Sequence, residues 1–244
     1  MTTRNIMSSA LFSLPFLGYQ PVNVSAGEPA LTAANLTKQT ILGPPFSWAW
    51  NRQLFSVDVP VADPVSGNPL TPPLQDYLIS APDFGFIEKA WLIDGKGKKV
   101  EIKNVLALAD ENSVQRPQSV AAQFINDDGT VQLRLNAVPD QAYTLAGAYQ
   151  KAPLWMTSLA CSWYPLPDSH AYIYDFGFLF FMSMLTKDER SAFFGQKFVS
   201  HLLGAQSGLT AMQRNIFLGN WVNVITEPQR AQAESQQGVQ ARAM

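Results

Sequence analysis

Residues 171–185 read AYIYDFGFLFFMSML, a run that is apolar on every side of a helix and carries one aspartate, Asp175. A helix without a polar stripe must be buried, either in protein or in lipid. This one spans about 15 residues, against the roughly 20 that a bilayer requires. The sequence therefore predicts a buried core or interface helix, and the rest of the chain must cover it.

That covering is short of charge. Charged residues make up 15% of the 244 residues, well below the roughly 25% of an average soluble domain, while 47% are hydrophobic. A monomer needs ionic surface to stay in solution, whereas a subunit with permanent interfaces lets its neighbours cover it. An obligate homo-oligomer is the expectation. Net charge is 17 − 19 = −2, which supplies no basic footprint for reading a nucleic-acid sequence. Cys161 is the only cysteine, so intrachain disulfides are impossible and a cysteine-based zinc site is not expected. Residues 1–26 imitate a secretory leader, but Pro15 and the serines interrupt the apolar run.

The chain reads as α+β. Residues 1–24 are expected to form an extended arm, because Pro15, Gly18 and Pro21 discourage regular structure. A helix is expected over about 29–42, with Ser25 near its cap and Pro29 in its first turn, ended by Gly43-Pro44-Pro45. A strand-rich insertion occupies about 46–150. It starts with alternating Phe46, Trp48 and Trp50 and passes through a proline-rich loop at 60–73 and a Pro82-Asp83-Phe84 turn. Hairpins are expected around Asp94–Gly97 and Asp127–Gly129, and a strand over 143–150. Helices fill about 168–218: one from Pro165–Asp168, one from a capping box of Thr186 and Glu189, and a short one over 209–218. Residues 219–244 are a tail, glutamine-rich beyond 229.

Candidate chemistry is sparse. His170 and His201 lack HxH or HExxH spacing and read as structural, and no GxSxG context activates a serine. Cys161, among neutral neighbours, reads as a small buried residue. Asp127-Asp128 and Asp110-Glu111 read as solvated turns, and Asn23 and Asn35 head chance glycosylation sequons. The glycines of Gly95-Lys96-Gly97 serve turn geometry and not phosphate binding, since no helix follows them. Lys96, Lys98 and Lys99 form the densest basic cluster, a candidate contact for DNA or a neighbouring subunit. No catalytic residue, metal or cofactor is expected. The interface candidates are Trp48, Trp50, Phe84, Tyr172, Tyr174, Phe176, Phe178 and Phe181, with the aromatic run shared between the subunit core and a neighbour.

The order of these pieces resembles a known family. Gly27-Glu28-Pro29 leads a helix, and Trp48-Ala49-Trp50-Asn51 follows it. The Pro82-Asp83-Phe84 turn, a hairpin running into a tyrosine-bearing strand (131–149) and a proline-started aromatic helix with a successor (166–206) complete the pattern. Over 25–218 this is similar to the head–tail adaptor (connector) proteins of tailed phages, the tail tubular protein A or gatekeeper group of T7-like podophages. The proline-rich loop at 60–73 and the glutamine-rich tail depart from that pattern. The resemblance implies a virion protein made in the host cytoplasm that forms a twelvefold ring. The ring would sit beneath the portal protein, carry the tail or nozzle protein, and pass DNA through its lumen with non-specific contact and no membrane. Two rival expectations stand beside it. A receptor- or carbohydrate-binding module of the tail would gather exposed tryptophans in one groove. A hydrolase with an unrecognised site would bring a histidine to a carboxylate and a nucleophile.

Overall fold

The computed structural model describes residues 4–19, 27–61, 75–106, 113–206 and 209–221, together with the backbone but not the side chain of Phe124. The fold is mixed α+β, as the sequence predicts. It divides into two compact units: residues 1–46 with 155–244, and residues 47–154.

The unit formed by 47–154 is a seven-stranded sheet. Its strands are β1 (Arg52–Val59), β2 (Asp76–Ser80), β3 (Phe84–Asp94), β4 (Lys99–Asn104), β5 (Ser119–Ile125), β6 (Thr130–Leu135) and β7 (Tyr143–Lys151). The order is β1-β7-β3-β4-β5-β6-β2, and the two end strands approach each other, so the sheet is nearly closed. Near closure protects strand edges that would otherwise pair with other chains. Neighbouring strands are antiparallel except for a short parallel seam between β4 and β5. Strict alternation in β6 turns Val131, Leu133 and Leu135 inward, where they meet Phe55, Val59, Leu92, Leu145 and Tyr149. Both expected hairpins form. Gly97 (φ 79°) and Gly129 (φ 81°) take the left-handed turn positions, and a Cβ on Gly129 would lie 2.8 Å from Pro82.

Phe46, Trp48 and Trp50 do not begin a strand; a 3-10 turn spans Ala49–Asn51, and pairing starts at Arg52. The backbone N–H of Trp48 donates to the Gln150 side-chain oxygen (3.0 Å), and the Asn51 amide donates to the Lys151 carbonyl (3.0 Å). Side chains therefore satisfy groups that a ladder would have used, which a tally of apolar alternation does not register. Of the proline-rich loop expected at 60–73, residues 62–73 lie outside the described residues, as does the Asp110-Glu111 pair.

The other unit is helical: α1 (Ile6–Leu17), α2 (Ala30–Leu42), α3 (Ala171–Leu185), α4 (Ser191–Gly204) and α5 (211–221). The expected α2 forms with a buried stripe of Ala30, Ala33, Ala34, Thr37 and Ile41. Its end at Gly43 needs a glycine for space, because a Cβ there would sit 2.8 Å from the Gln39 carbonyl oxygen. Pro29 is the residue before the first turn and not within it. Ser25 and Asn23 lie outside the described residues. The apolar run forms α3, with Ile173, Tyr174, Phe178, Phe180 and Met182 fully enclosed.

Residues 6–17, expected as part of an extended arm, are helical. The Asn5 side chain accepts from the Ser8 backbone N–H (2.9 Å), and Ser8 Oγ answers the Asn5 N–H, a reciprocal cap. Pro15 falls in the last turn, where its missing N–H breaks a single helical bond. The expected capping box of Thr186 and Glu189 does not form: Thr186 is the C-terminal cap of α3, its hydroxyl donating to the Met182 carbonyl (2.8 Å). The start of α4 is organised by Asp188, whose carboxylate accepts the Arg190 N–H at 2.9 Å. The last helix runs to 221, three residues into the expected tail, and 222–244 lie outside the described residues.

Candidate functional site

Helix α1 turns its polar residues inward. Ser9 and Ser13 are fully buried along with Ile6, Ala10 and Leu17, whereas Leu11 is 59% exposed and Leu14 and Phe16 are also exposed. Apolar residues therefore lie on both faces, unlike a usual amphipathic helix. The inward serines are satisfied. Ser13 Oγ donates to the Ala10 carbonyl (2.8 Å); Ser9 Oγ donates to Asp175 Oδ1 (2.8 Å) and accepts from Trp163 Nε1 (3.0 Å). Arg4 completes the cluster with a 2.9 Å ion pair to the other Asp175 oxygen. Asp175, the one charge in the apolar helix, is therefore the anchor that receives α1. Burial raises its pKa above the ordinary carboxyl value, against the opposing pull of Ser9 and Arg4.

The outward residues extend into an aromatic surface. Phe12 and Phe16 are in ring contact (5.3 Å); Phe16 meets Phe194 (6.4 Å) and Phe12 meets Phe176 (6.2 Å). Phe194 touches Phe193, which is 55% exposed. Phe176 and Tyr172 both pack on His201 at 5.1 Å. The C-terminal end of α1 is fastened to the α3–α4 turn: Tyr19 donates to Thr186 Oγ1 (2.7 Å), and Arg190 donates to the Phe16 carbonyl. Ring contacts thus link α1, α3 and α4, partly through the buried Phe194, and leave Phe16, Tyr172 and Phe193 exposed on them. Scattered exposed apolar residues are ordinary, but a contiguous patch marks an interaction surface.

The expected interface residues divide. Tyr172 (41% exposed) and the partly exposed Phe176 belong to this surface. Tyr174, Phe178 and Phe181 are core: Tyr174 stacks on Trp163 at 4.8 Å, and Phe181 packs on Phe180 at 4.9 Å. They have no surface to offer a neighbour, because their run of α3 is enclosed by the chain's own helices. Phe84 is likewise buried, against Tyr149 at 5.3 Å. Trp48 is buried and stacks on the partly exposed Trp50 at 5.0 Å. The outward residues Leu11, Leu14, Phe16 and Phe193 are absent from the expected set. For the three on α1 the signal was the pair Ser9 and Ser13, which share a helical stripe with Ile6 and Leu17.

Lys96 and Lys98 are exposed on the β3–β4 hairpin, and Lys99 Nζ lies 3.6 Å over the Trp91 ring. Asp128 is a turn residue, accepting from the Thr130 N–H at 2.8 Å. Cys161 is half-buried, and its thiol is pulled below the usual range by the Ser158 hydroxyl and the Thr157 and Ser158 backbone, a cause the sequence does not reveal. Asn35 is buried and exchanges bonds with Met156 (2.9 and 2.8 Å), so its sequon has no accessible acceptor. Of the six tryptophans, Trp155 is well exposed (60%), while Trp48, Trp163 and Trp221 are buried. His170 Nδ1 lies 3.0 Å from Ser169 Oγ. Among the described residues no group of three or more His, Cys, Asp or Glu side chains could hold a metal ion, and no helix is long and apolar enough to cross a membrane.

No protein-family model matches this chain, and no curated protein is similar to it in sequence.

Proposed function

We propose that the chain is a structural subunit of a phage head–tail connector, an adaptor that assembles through its helical unit into a ring between portal and tail. The observation that carries this reading is helix α1, which leaves Leu11, Leu14 and Phe16 exposed while burying two serines. Taking such a side chain fully out of water is worth about 1.5–3 kcal/mol, and a neighbour laid on this face gains the fraction still exposed, largest at Leu11 (59%) and smaller at Leu14 (39%) and Phe16 (40%). The low charge of the whole chain acts in the same direction. In this arrangement α1, α3 and α4 form the subunit contacts. The strand-rich insertion reaches the next tail component, and Lys96 and Lys98 make weak contacts with a neighbour or with passing DNA. Tight phosphate binding would oppose passage, and a net charge of −2 suits a wall that DNA slides past.

The test is the mass in solution of the full chain, alone and with purified portal, for the native sequence and for a Leu11→Gln/Phe16→Gln double variant. The native chain is expected to form a closed oligomer, with or without the portal. The double variant is expected to remain a monomer that keeps a helical circular-dichroism spectrum, with some loss of stability where Phe16, 40% exposed, leaves Phe12 and Phe194. A native chain that stays monomeric at every concentration, even beside the portal, overturns the proposal.

A further inference from the structure

The strand unit contains a second built feature, a polar cavity of about 360 Å³ at one end of the sheet. Its floor is apolar, formed by Leu92, Val100 and the buried ring of Tyr143. Its rim carries two cations, Lys98 and Arg116, and the amides Gln115, Gln118 and Gln141. Two carboxylates, Asp94 and Asp140, balance the formal charge.

The charges are not equally available. Asp94 Oδ1 accepts the backbone N–H groups of Lys96 (2.9 Å) and Lys98 (2.8 Å), and Asp140 Oδ1 accepts the Tyr143 hydroxyl at 2.8 Å. Lys98 and Arg116, by contrast, form no ion pair among the described residues. The site thus holds its anions in internal bonds and leaves its cations for something else. The backbone beneath is fixed. Gln115 N–H donates to the Val138 carbonyl (2.9 Å), Val138 N–H donates to Ser113 (3.1 Å), and Asn136 Oδ1 accepts the N–H groups of Gln118 (2.8 Å) and Ser119 (2.9 Å). The rim residues are therefore set on bonded chain, which limits the ordering cost of binding.

We propose that this cavity binds a hydroxylated carboxylate, the chemistry of a sugar acid, with Arg116 and Lys98 on the carboxylate and the rim amides and remaining carboxylate oxygens on the hydroxyls. Arg116 offers a planar fork suited to two carboxylate oxygens. Amide and carboxylate side chains supply both donors and acceptors, as neighbouring hydroxyls require. The apolar floor takes the C–H face of such a ligand, and the volume lies at the small end of the usual range for ligand sites. Binding here does not depend on assembly, so its failure leaves the connector reading untouched.

Calorimetry on the full chain with glucuronate, glucose, acetate and inorganic phosphate tests it. Glucuronate is expected to bind about tenfold tighter than glucose or acetate, a difference of roughly 1.4 kcal/mol. Arg116→Gln should bring glucuronate down to the level of glucose. Gln118→Ala should weaken glucuronate and leave acetate unchanged. Because Arg116 and Gln118 are exposed, both variants are expected to keep the native melting temperature. Phosphate binding as tight as glucuronate would reveal a bare cationic patch and overturn the proposal. So would glucose matching glucuronate in the native chain, or no saturable heat from any of the four.

Discussion

At the scale of single residues, Asp175 governs how the helical unit responds to pH. Its burial holds the carboxyl above the ordinary value of 3.8, so the folded chain keeps that proton to a higher pH than the unfolded chain does. Where the folded state binds more protons, stability falls as pH rises. The contribution is fully present below the unfolded pKa and is lost as pH climbs through the folded one. Asp175→Asn removes the titration while keeping a similar shape. Urea unfolding between pH 4 and pH 8 should therefore show the native chain losing stability relative to the variant as pH rises from about 4. A relative gain with pH would mean that the Arg4 pair outweighs burial. Sequence makes the oddity of a lone aspartate in an apolar helix visible, but not its partners. Arg4 and Ser9 are 171 and 166 positions away, and Trp163 reaches the same serine. No local pattern encodes a meeting that only tertiary packing creates.

Elements were more legible than residues. The boundaries of α2 follow from a proline before it and a Gly-Pro-Pro stop, and both glycine-bearing hairpins follow from turn chemistry acting over four or five residues. The errors fell where side chains compete with the backbone: Asn5 and Ser8 cap a helix that Pro15 and Gly18 seemed to forbid, and Thr186 bonds backward instead of forward. Helix packing adds a constraint that propensity does not. Gly177 sits in the middle of α3, where alanine would ordinarily favour the helix by about 1 kcal/mol. A Cβ at 177 would lie 2.6 Å from Thr37 Cγ2 and 2.9 Å from the Phe198 ring. Gly177→Ala is thus expected to destabilise by about 1–3 kcal/mol through overpacking between α2, α3 and α4. Gly204→Ala, at the end of α4 with nothing within 4 Å, should be neutral or slightly stabilising. Denaturant midpoints of the two variants, compared with the native chain, decide it; equal effects would remove close packing as the reason for Gly177.

For the whole molecule, the sequence conveyed the class and the alternation of helical and strand-rich stretches, because hydrophobic period and turn residues are written locally. The near closure of the sheet was not conveyed, since β1 pairs with β7 across about ninety residues and β2 with β6 across about fifty. That closure bears on independence. The strand unit has its own buried cluster, from Phe55 and Tyr77 through Leu133 to Tyr149. Its first and last strands are neighbours, so the chain enters and leaves at one place. Gln150 clasps that place, accepting the Trp48 N–H and donating to the Trp48 carbonyl (3.2 Å) and to Glu88 (2.7 Å). Burial opposes ionisation of Glu88, but the Arg52 and Gln150 hydrogen bonds prevail and hold its carboxyl below the usual range. A fragment of residues 47–154 is accordingly expected to fold alone, with a strand-type circular-dichroism spectrum and one cooperative thermal transition. Its stability should fall as pH drops through the depressed Glu88 value, because protonation removes the charge that Arg52 and Gln150 hold. Gln150→Ala should lower the transition, leaving the Trp48 backbone and Glu88 short of a partner at a cost of about 1–3 kcal/mol. A fragment that melts without cooperativity would show that the sheet needs the helical residues to fold.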